Sequence, residues 1–251
     1  MTIRIARVVA AAAVLITCQT PLVAQRGGRG AITPRAAAPF DLTGQWVSLI
    51  TEDWRHRQFT PPKGDYPGLP LLPAARKAAD SWDPARDEAA NEQCRAYGAA
   101  GLLRLPTRLR ISWQDDTTLK VEADAGTQTR IFHFGQTQSA GGDWQGVSTA
   151  SWDAPQSPMA GRGGPGRGGS LKVLTTKMRP GYLRRNGVPY GVNAVMTEYF
   201  DRLDLPGGDS LIVVTSEIVD SEYLSQPYWT SQQFKRETDQ ARWRPTPCSA
   251  R

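Results

Sequence analysis

The stretch that most constrains the fold is residues 107–135, in which apolar and polar side chains alternate with a period of two. Its first two segments carry apolar residues at every second position: Leu109, Ile111 and Trp113, then Leu119, Val121 and Ala123. This period is typical of strands with one buried face. The stretch therefore predicts three consecutive antiparallel strands, joined by turns at residues 115–117 and 125–126, and we expect the rest of the chain to extend this sheet.

Charge decides the predicted register of the first turn. A two-residue loop would place Leu109 opposite Glu122 and mix apolar with charged side chains. A three-residue loop instead pairs Arg110 with Glu122, and it also matches the apolar Ile111 with Val121. Matched cross-strand pairs are each worth roughly 0.2–1 kcal/mol, so we expect the three-residue register.

The second turn sorts the side chains of the third strand. Because Gly126 accepts a positive φ angle, we expect a tight hairpin there. This hairpin places Arg130 and Phe132 on the apolar face, and it places His133 on the charged face beside Glu122. The guanidinium of Arg130 is thus expected among apolar side chains.

Six further strands follow from alternation and turn signals: residues 45–51, 146–152, 170–177, 194–203, 210–219 and 228–236. Nine strands with short links predict a mainly β fold, an antiparallel meander that closes into a lipocalin-like barrel because a long sheet tends to eliminate its edges.

The longest segment outside the strands is residues 52–106, which carries short helical patterns at residues 74–82 and 85–97. We interpret it as a lid-like insertion in the loop after the first strand. In an antiparallel meander, this lid and the flexible Gly-rich loop 153–169 lie at one end of the barrel. The loop of residues 179–193 is then expected at the opposite end.

The N-terminus predicts export. Arg4 and Arg7 precede an apolar run at residues 8–16, and small residues follow, so residues 1–24 are interpreted as a signal peptide. Cys18 follows a poor lipobox, and a lipid anchor is therefore not expected.

The remaining chain is expected to contain a disordered linker at residues 25–40, rich in Gly, Ala, Arg and Pro, and a single β-barrel domain at residues 41–251. No later segment is apolar enough to span a membrane. We therefore expect a periplasmic or secreted protein. In such an oxidising compartment, Cys94 and Cys248 are predicted to form a disulfide.

The net charge of the chain is +6, and loss of Arg4 and Arg7 with the signal peptide, which contains no acidic residue, leaves +4. This charge is spread along the chain and forms no dense basic stripe, so nucleic acid is not an expected partner.

Short motifs resemble two groups of proteins. Gly44-Gln45-Trp46 on the first strand and Lys235-Arg236 on the last resemble the calycin (lipocalin-like) pattern, in which a first-strand Trp packs under a late basic residue. A second resemblance, to an uncharacterised family of secreted bacterial proteins, covers most of the mature chain and rests on LTGQWVSLITEDWR, PPKGDY, CRAYGAAGLLRLPTRL, DAGTQTRIFHFG, WQGVS and RPGYLRRNGVPY. This resemblance implies an exported protein. Neither resemblance identifies a catalytic residue in this chain.

Two pairs of residues suit acid–base catalysis. His56 lies near Asp53 in the lid, and His133 lies beside Glu122 on the charged face; a carboxylate can orient a histidine that titrates near neutral pH. The alternative for both pairs is an ordinary solvated surface with ion pairs of little energetic value. Two isolated histidines do not suggest a metal site, and no cofactor is expected.

The leading hypothesis is a barrel that binds a small, partly apolar ligand, either neutral or anionic. A buried guanidinium needs a protein carboxylate or an anionic ligand, so Arg130 is the candidate anchor. Trp54, Tyr66 and Phe132 are the other candidate ligand contacts. The alternatives are a calycin-like enzyme and an envelope module that binds a protein or glycan through the loop 179–193. The sequence does not specify the oligomeric state.

Overall fold

The computed structural model describes residues 32–137, 140–153 and 169–251. The predicted signal peptide, Cys18, residues 25–31 of the predicted linker and residues 154–168 of the Gly-rich loop lie outside the described residues. The strands are β1 Gly44–Leu49, β2 Arg108–Trp113, β3 Thr118–Ala123, β4 Gln128–Phe134, β5 Val147–Asp153, β6 Ser170–Thr176, β7 Gly181–Arg184, β8 Val188–Tyr190, β9 Val195–Asp204, β10 Ser210–Val219 and β11 Tyr228–Arg236. The α-helices are α1 Trp54–Gln58, α2 Pro73–Asp80, α3 Pro84–Ala89 and α4 Ala99–Leu102, and short 3-10 turns lie at Arg95–Tyr97, Ala125–Thr127 and Gln240–Arg242.

Nine of these strands close a barrel in the order β1-β11-β10-β9-β6-β5-β4-β3-β2, and β7 and β8 form a separate two-stranded sheet. The predicted mainly β barrel with short helices after the first strand is therefore confirmed. One pair departs from an antiparallel meander, because β4 and β5 run parallel.

The predicted register of the central strands is confirmed. Arg110 lies opposite Glu122 and Ile111 opposite Val121. In the next pair, Val121 lies opposite Arg130. The apolar faces of these strands point into the barrel, where Ile111, Val121 and Arg130 are all buried.

The parallel pair changes which loops share an end of the barrel. Because β4 and β5 are parallel, β5 begins at the end of the barrel where β4 began. At that end, Gln145 Nε2 donates to the carbonyl of Tyr97 over 2.8 Å. Every later strand is consequently reversed relative to a meander, and the 179–193 loop lies at the lid end. The prediction that the lid and the 179–193 loop lie at opposite ends of the barrel is wrong, because it assumed that every pair of neighbouring strands is antiparallel.

The lid and the β7–β8 hairpin form a second apolar cluster beside the barrel core. Buried residues of the lid, the hairpin and the chain after β10 contribute to it: Leu69, Leu71, Ala75, Ala79, Ala99, Leu183, Val188, Tyr190 and Leu224. A short bridge joins Leu71 to Leu224. The predicted disulfide is also confirmed, since Cys94 of the lid is bonded to Cys248 of the C-terminal tail.

Two tryptophans lie near the barrel wall. Trp46 is fully buried, and the Arg236 guanidinium carbon lies 5.1 Å from its ring centroid, which is the local packing that the calycin resemblance implies. Trp152 Nε1 donates to the carbonyl of Pro34 over 2.7 Å, and its ring packs edge-on against Phe40. Residues 32–40 thus lie against the barrel, and the compact unit begins at Ile32.

Among the described residues, we find no helix with the length and apolar character that a membrane crossing requires.

Candidate functional site

Arg130 lies inside the barrel with a protein carboxylate as its partner. It is 1% exposed, and its Nη1 and Nη2 donate to Glu198 Oε1 and Oε2 over 3.0 and 2.5 Å. Nη2 also donates to Thr175 Oγ1 over 3.2 Å. Sequence reasoning left open whether a protein group or a ligand would pair with Arg130, and it missed Glu198. A signal was present, because Glu198 stands between the apolar Met196 and Phe200 on the buried face of β9.

Aromatic side chains fill the space next to this pair. The guanidinium carbon of Arg130 lies 4.9 Å from the ring centroid of Phe132, which is fully buried. Phe132 in turn packs against Phe200 with ring centroids 5.6 Å apart. Of the candidate ligand contacts, Arg130 and Phe132 therefore serve the barrel core.

The other two candidate ligand contacts lie in the lid, outside the barrel interior. Trp54 on α1 is 57% exposed. Tyr66 is buried in the second apolar cluster, and its hydroxyl donates to Asp80 Oδ1 over 3.0 Å. The structure does not bring these four residues into one site.

The two candidate acid–base pairs lie outside the barrel interior. His56 Nε2 is 3.4 Å from Asp65 Oδ2, while Asp53 accepts a 2.7 Å hydrogen bond from Arg104 Nη2. Burial raises the pKa of Asp53, but the hydrogen bond and charge of Arg104 outweigh this effect and hold the pKa below its ordinary value. The carboxylate beside His56 is therefore Asp65.

The second pair is on the outer wall. Glu122 lies opposite Thr129 and His133 opposite Thr118, and both side chains are partly exposed. Glu122 forms an ion pair with Lys120 over 3.1 Å. The charged face of the central strands thus points to solvent.

A concave site is present where the lid meets the hairpin. A groove of about 670 Å³ runs between α2, α3 and the β7–β8 hairpin, and we call it the lid groove. Its walls combine aromatic and small side chains: Ala78, Trp82, Ala89, Ala90, Pro180, Tyr182, Pro189, Tyr190 and Tyr223. Its volume is within the usual range for a small-molecule site. Only the placement of the 179–193 loop at the lid end makes this groove possible.

A hydrogen-bonded triad forms the polar part of the groove. The Tyr182 hydroxyl donates to Asp87 Oδ2 over 2.9 Å. Arg95 Nη1 donates to Asp87 Oδ1 over 3.1 Å and to the Tyr182 hydroxyl over 3.0 Å. Burial raises the pKa of Tyr182 to about 12, with Arg95 opposing the shift and Asp87 adding to it, so the hydroxyl keeps its proton at neutral pH. The triad joins the lid to the hairpin and fixes one wall of the groove.

Two buried donor groups of the groove-lining residues have neither a hydrogen-bond partner nor an ion-pair partner in the part of the chain that the structure describes. They are Trp82 Nε1 and the hydroxyl of Tyr190, which is 1% exposed. Burial raises the pKa of Tyr190, so its hydroxyl also remains protonated. An unpaired buried donor costs about 1–3 kcal/mol, and a ligand acceptor that reached either atom would remove this cost.

Three further residues of the 179–193 loop contact the lid. Asn186 Nδ2 donates to the carbonyls of Pro62 and Asp65, each over 3.0 Å. Arg184 approaches the carbonyl of Pro67 at 3.3 Å through Nη2. Arg185 Nη2 donates to the carbonyl of residue 57 over 3.0 Å. These side chains therefore hold the loop in place.

No cluster of three or more His, Cys, Asp or Glu side chains that could bind a metal ion is found in residues 32–137, 140–153 and 169–251. Comparison of the chain with protein-family models, curated proteins and solved structures gives no match. The chemistry of the lid groove is therefore the basis on which a function can be assigned.

Proposed function

We propose that the protein binds a small, partly apolar molecule in the lid groove. The observation that carries this proposal is the combination of a groove of about 670 Å³ with two unpaired buried donors, Trp82 Nε1 and the Tyr190 hydroxyl. Aromatic walls supply apolar contact, and a few placed polar groups orient the molecule, as in most small-molecule sites.

The charges of the groove favour a neutral ligand. Its lining includes the carboxylates of Asp83, Asp87 and Glu92 and the guanidiniums of Arg86 and Arg95. Ion pairs or hydrogen bonds within the protein engage these groups, including Asp83 with Arg86 and Asp87 with Arg95. An anionic ligand therefore meets no unpaired cation among the described residues that line the groove. A ring or chain carrying carbonyl, ether or hydroxyl oxygens matches the groove best.

Pairing of Arg130 with Glu198 supports the lid groove over the barrel interior, because an anionic ligand inside the barrel would have to compete with a carboxylate already bound on two nitrogens. The acid–base hypothesis gains no comparable support, since Glu122 and His133 lie on the outer wall.

We further propose that the protein is exported and belongs with the secreted bacterial proteins that its motifs resemble. The signal-peptide pattern of residues 1–24 supports export. The disulfide between Cys94 and Cys248 is consistent with an oxidising compartment.

Blocking the groove tests the proposed function. Ala89 is exposed on α3 and lines the groove, so Ala89→Trp fills it without altering the core. Ala85, exposed on the same helix, does not line the groove, and Ala85→Trp is the matched control. The neutral fluorescent probe N-phenyl-1-naphthylamine is titrated into each protein, and native mass spectrometry of the exported protein detects any co-purified molecule.

We expect the wild type and Ala85→Trp to bind the probe and to retain any co-purified molecule, and Ala89→Trp to lose at least tenfold in probe affinity. Equal probe affinity in Ala89→Trp and the wild type, or no binding by the wild type, would overturn the assignment.

A further inference from the structure

A second, separate site is suggested by four arginines that converge beside α1. Arg57, Arg104, Arg184 and Arg185 line a small cavity together with His56, and we call it the arginine pocket. It has room for about one water-sized group, roughly 10 Å³. The lid supplies Arg57 and Arg104, while the end of β7 and the turn after it supply the other two.

Arg57 is the most constrained of the four. It is 2% exposed, and its Nε donates to the carbonyl of Arg104 over 3.0 Å. Its Nη1 and Nη2 are buried and have no hydrogen-bond partner within the described part of the chain. Burial lowers the pKa of Arg57 to about 10, and the positive charge of Arg104 adds to the shift, so the group is still charged at neutral pH.

Among the residues that the structure describes, the neighbouring charges leave Arg57 without a directly bonded counterion. Asp53, which is about half exposed, is engaged by Arg104 at 2.7 Å. Asp65 is shared by Arg55 at 3.1 Å and His56 at 3.4 Å. Glu52 favours the charged form of Arg57 only through its field.

The second arginine that faces the pocket is also incompletely paired. The Nε atom of Arg185 is buried without a partner among the described residues. Burial lowers the pKa of Arg185 as well. A charged group taken out of water is strongly destabilising unless an opposite charge and hydrogen bonds replace its hydration.

We propose that the arginine pocket binds a small inorganic anion of the size of chloride, held by Nη1 and Nη2 of Arg57. The available space, about that of one water-sized group, restricts the anion to a single atom and excludes a phosphate or a larger organic acid. The proposal is independent of the ligand in the lid groove and stands if that groove binds nothing. It gives the anion a structural role, because Arg57 and Arg185 join α1 to the hairpin.

Chloride-35 NMR on the full chain tests the proposal, because exchange with a protein site broadens the chloride line. Arg57→Met removes both donor groups while keeping the apolar stem, and Arg76→Met, at an exposed position on α2, is the control for the loss of one positive charge. We expect the excess line width of the wild type to persist in Arg76→Met and to fall at least fivefold in Arg57→Met. Equal broadening in all three proteins would overturn the proposal.

Crystals of the wild type grown in sodium bromide provide a measurement that does not depend on the folding of a variant. We expect an anomalous peak within hydrogen-bond distance of Arg57 Nη1 or Nη2. Absence of that peak at saturating bromide would overturn the proposal, whatever the NMR experiment gives.

Discussion

A charged side chain on the apolar face of a strand needs a partner, and Arg130 finds it in Glu198, 68 residues further along the chain. The alternation within residues 107–135 predicts the position of Arg130, because alternation depends only on neighbouring residues. Alternation also places Glu198 on the buried face of β9. Its pairing with Arg130 could not be predicted in the same way, because it depends on how β4 and β9 meet inside the closed barrel.

Removing one member of this buried pair should be more damaging than removing both. Arg130→Met leaves the Glu198 carboxylate buried without a counterion, so we expect the free energy of unfolding to fall by about 3–5 kcal/mol. Arg130→Met combined with Glu198→Leu replaces the pair by apolar groups and should recover much of that loss. Urea unfolding followed by circular dichroism measures the wild type, Arg130→Met, Glu198→Leu alone and the double variant.

An exposed pair is the control for this comparison. Lys235 Nζ lies 2.8 Å from Asp209 Oδ2 with both side chains about half exposed, and Lys235→Met should cost less than about 1 kcal/mol. A double variant whose loss equals the sum of the two single losses would contradict the expected role of the buried pair.

Glu237 provides a prediction about pH. Gln45 Nε2 and Arg108 Nε donate to its Oε2 over 2.7 and 2.9 Å. Burial opposes ionisation, but these donors and the arginine charge outweigh it and lower the pKa of Glu237 below its ordinary value of 4.5. Stability from a lowered pKa is fully present above the ordinary value and is lost as the pH falls through the folded-state pKa.

Glu237→Gln is therefore expected to lower the free energy of unfolding by about 1–2 kcal/mol at neutral pH. The gap between variant and wild type should narrow as the pH falls below 4.5, and urea titrations at several acidic pH values measure it. A gap that stays constant across this range would show that the carboxylate charge has no part in the interaction.

At the scale of elements, the strands and their register follow from the sequence, and the hairpin of β7 and β8 does not. Proline and glycine in residues 179–193 indicate a loop, and the short strands there form only because the lid packs against them. Gly187 is one point where this packing is close. It has a φ of +82°, and a Cβ atom there would lie 2.3 Å from the Trp82 side chain.

Gly187→Ala should destabilise the protein through two separate effects. A positive φ angle costs a residue with a Cβ about 1–2 kcal/mol, and the overlap with Trp82 adds about 1–3 kcal/mol. Trp82 is also a wall of the lid groove, so binding of the fluorescent probe should weaken as well. Thermal unfolding and probe titration measure the two consequences.

The turn between β9 and β10 offers a matched control. Gly208 has a φ of +90°, and a Cβ atom there would have no neighbour within 4 Å. Gly208→Ala isolates the cost of the backbone conformation and should leave probe binding unchanged. If the two substitutions lowered the melting temperature equally, close packing of Trp82 on the turn would not be a determinant of the hairpin.

For the whole molecule, barrel closure can be predicted from the sequence, because a nine-strand sheet without strong helices has few other ways to protect its edges. The arrangement of the loops at the two ends of the barrel cannot be predicted from the sequence. It depends on the parallel pairing of β4 with β5, and residues 135–146 contain no local pattern that distinguishes a hairpin from a connection that runs back along the barrel. The lid groove therefore could not be predicted.

The disulfide between Cys94 and Cys248 links the lid to the C-terminal tail across 154 residues of sequence. Closing so long a loop restricts the unfolded chain, so Cys94→Ala combined with Cys248→Ala should lower the free energy of unfolding by about 2–5 kcal/mol. The barrel closes through the pairing of β1 with β11, which does not involve the disulfide. Urea unfolding gives the total loss of stability.

Hydrogen exchange distinguishes where that stability is lost. The tail is also held by hydrogen bonds, from the Thr246 amide to the carbonyl of Asp124 over 2.8 Å and from the Thr127 hydroxyl to the carbonyl of Thr246 over 3.0 Å. We expect amides of residues 94–105 and 244–251 to exchange faster in the double variant, while those of β10 and β11 keep their order of protection relative to the rest of the barrel. Because the lid and the tail open locally in this scheme, the probe affinity of the groove should fall by more than the loss of barrel stability alone would cause. The contrary outcome is an equal loss of amide protection in all strands, with no selective acceleration of exchange in the lid. That result would mean that the disulfide acts only on the unfolded chain.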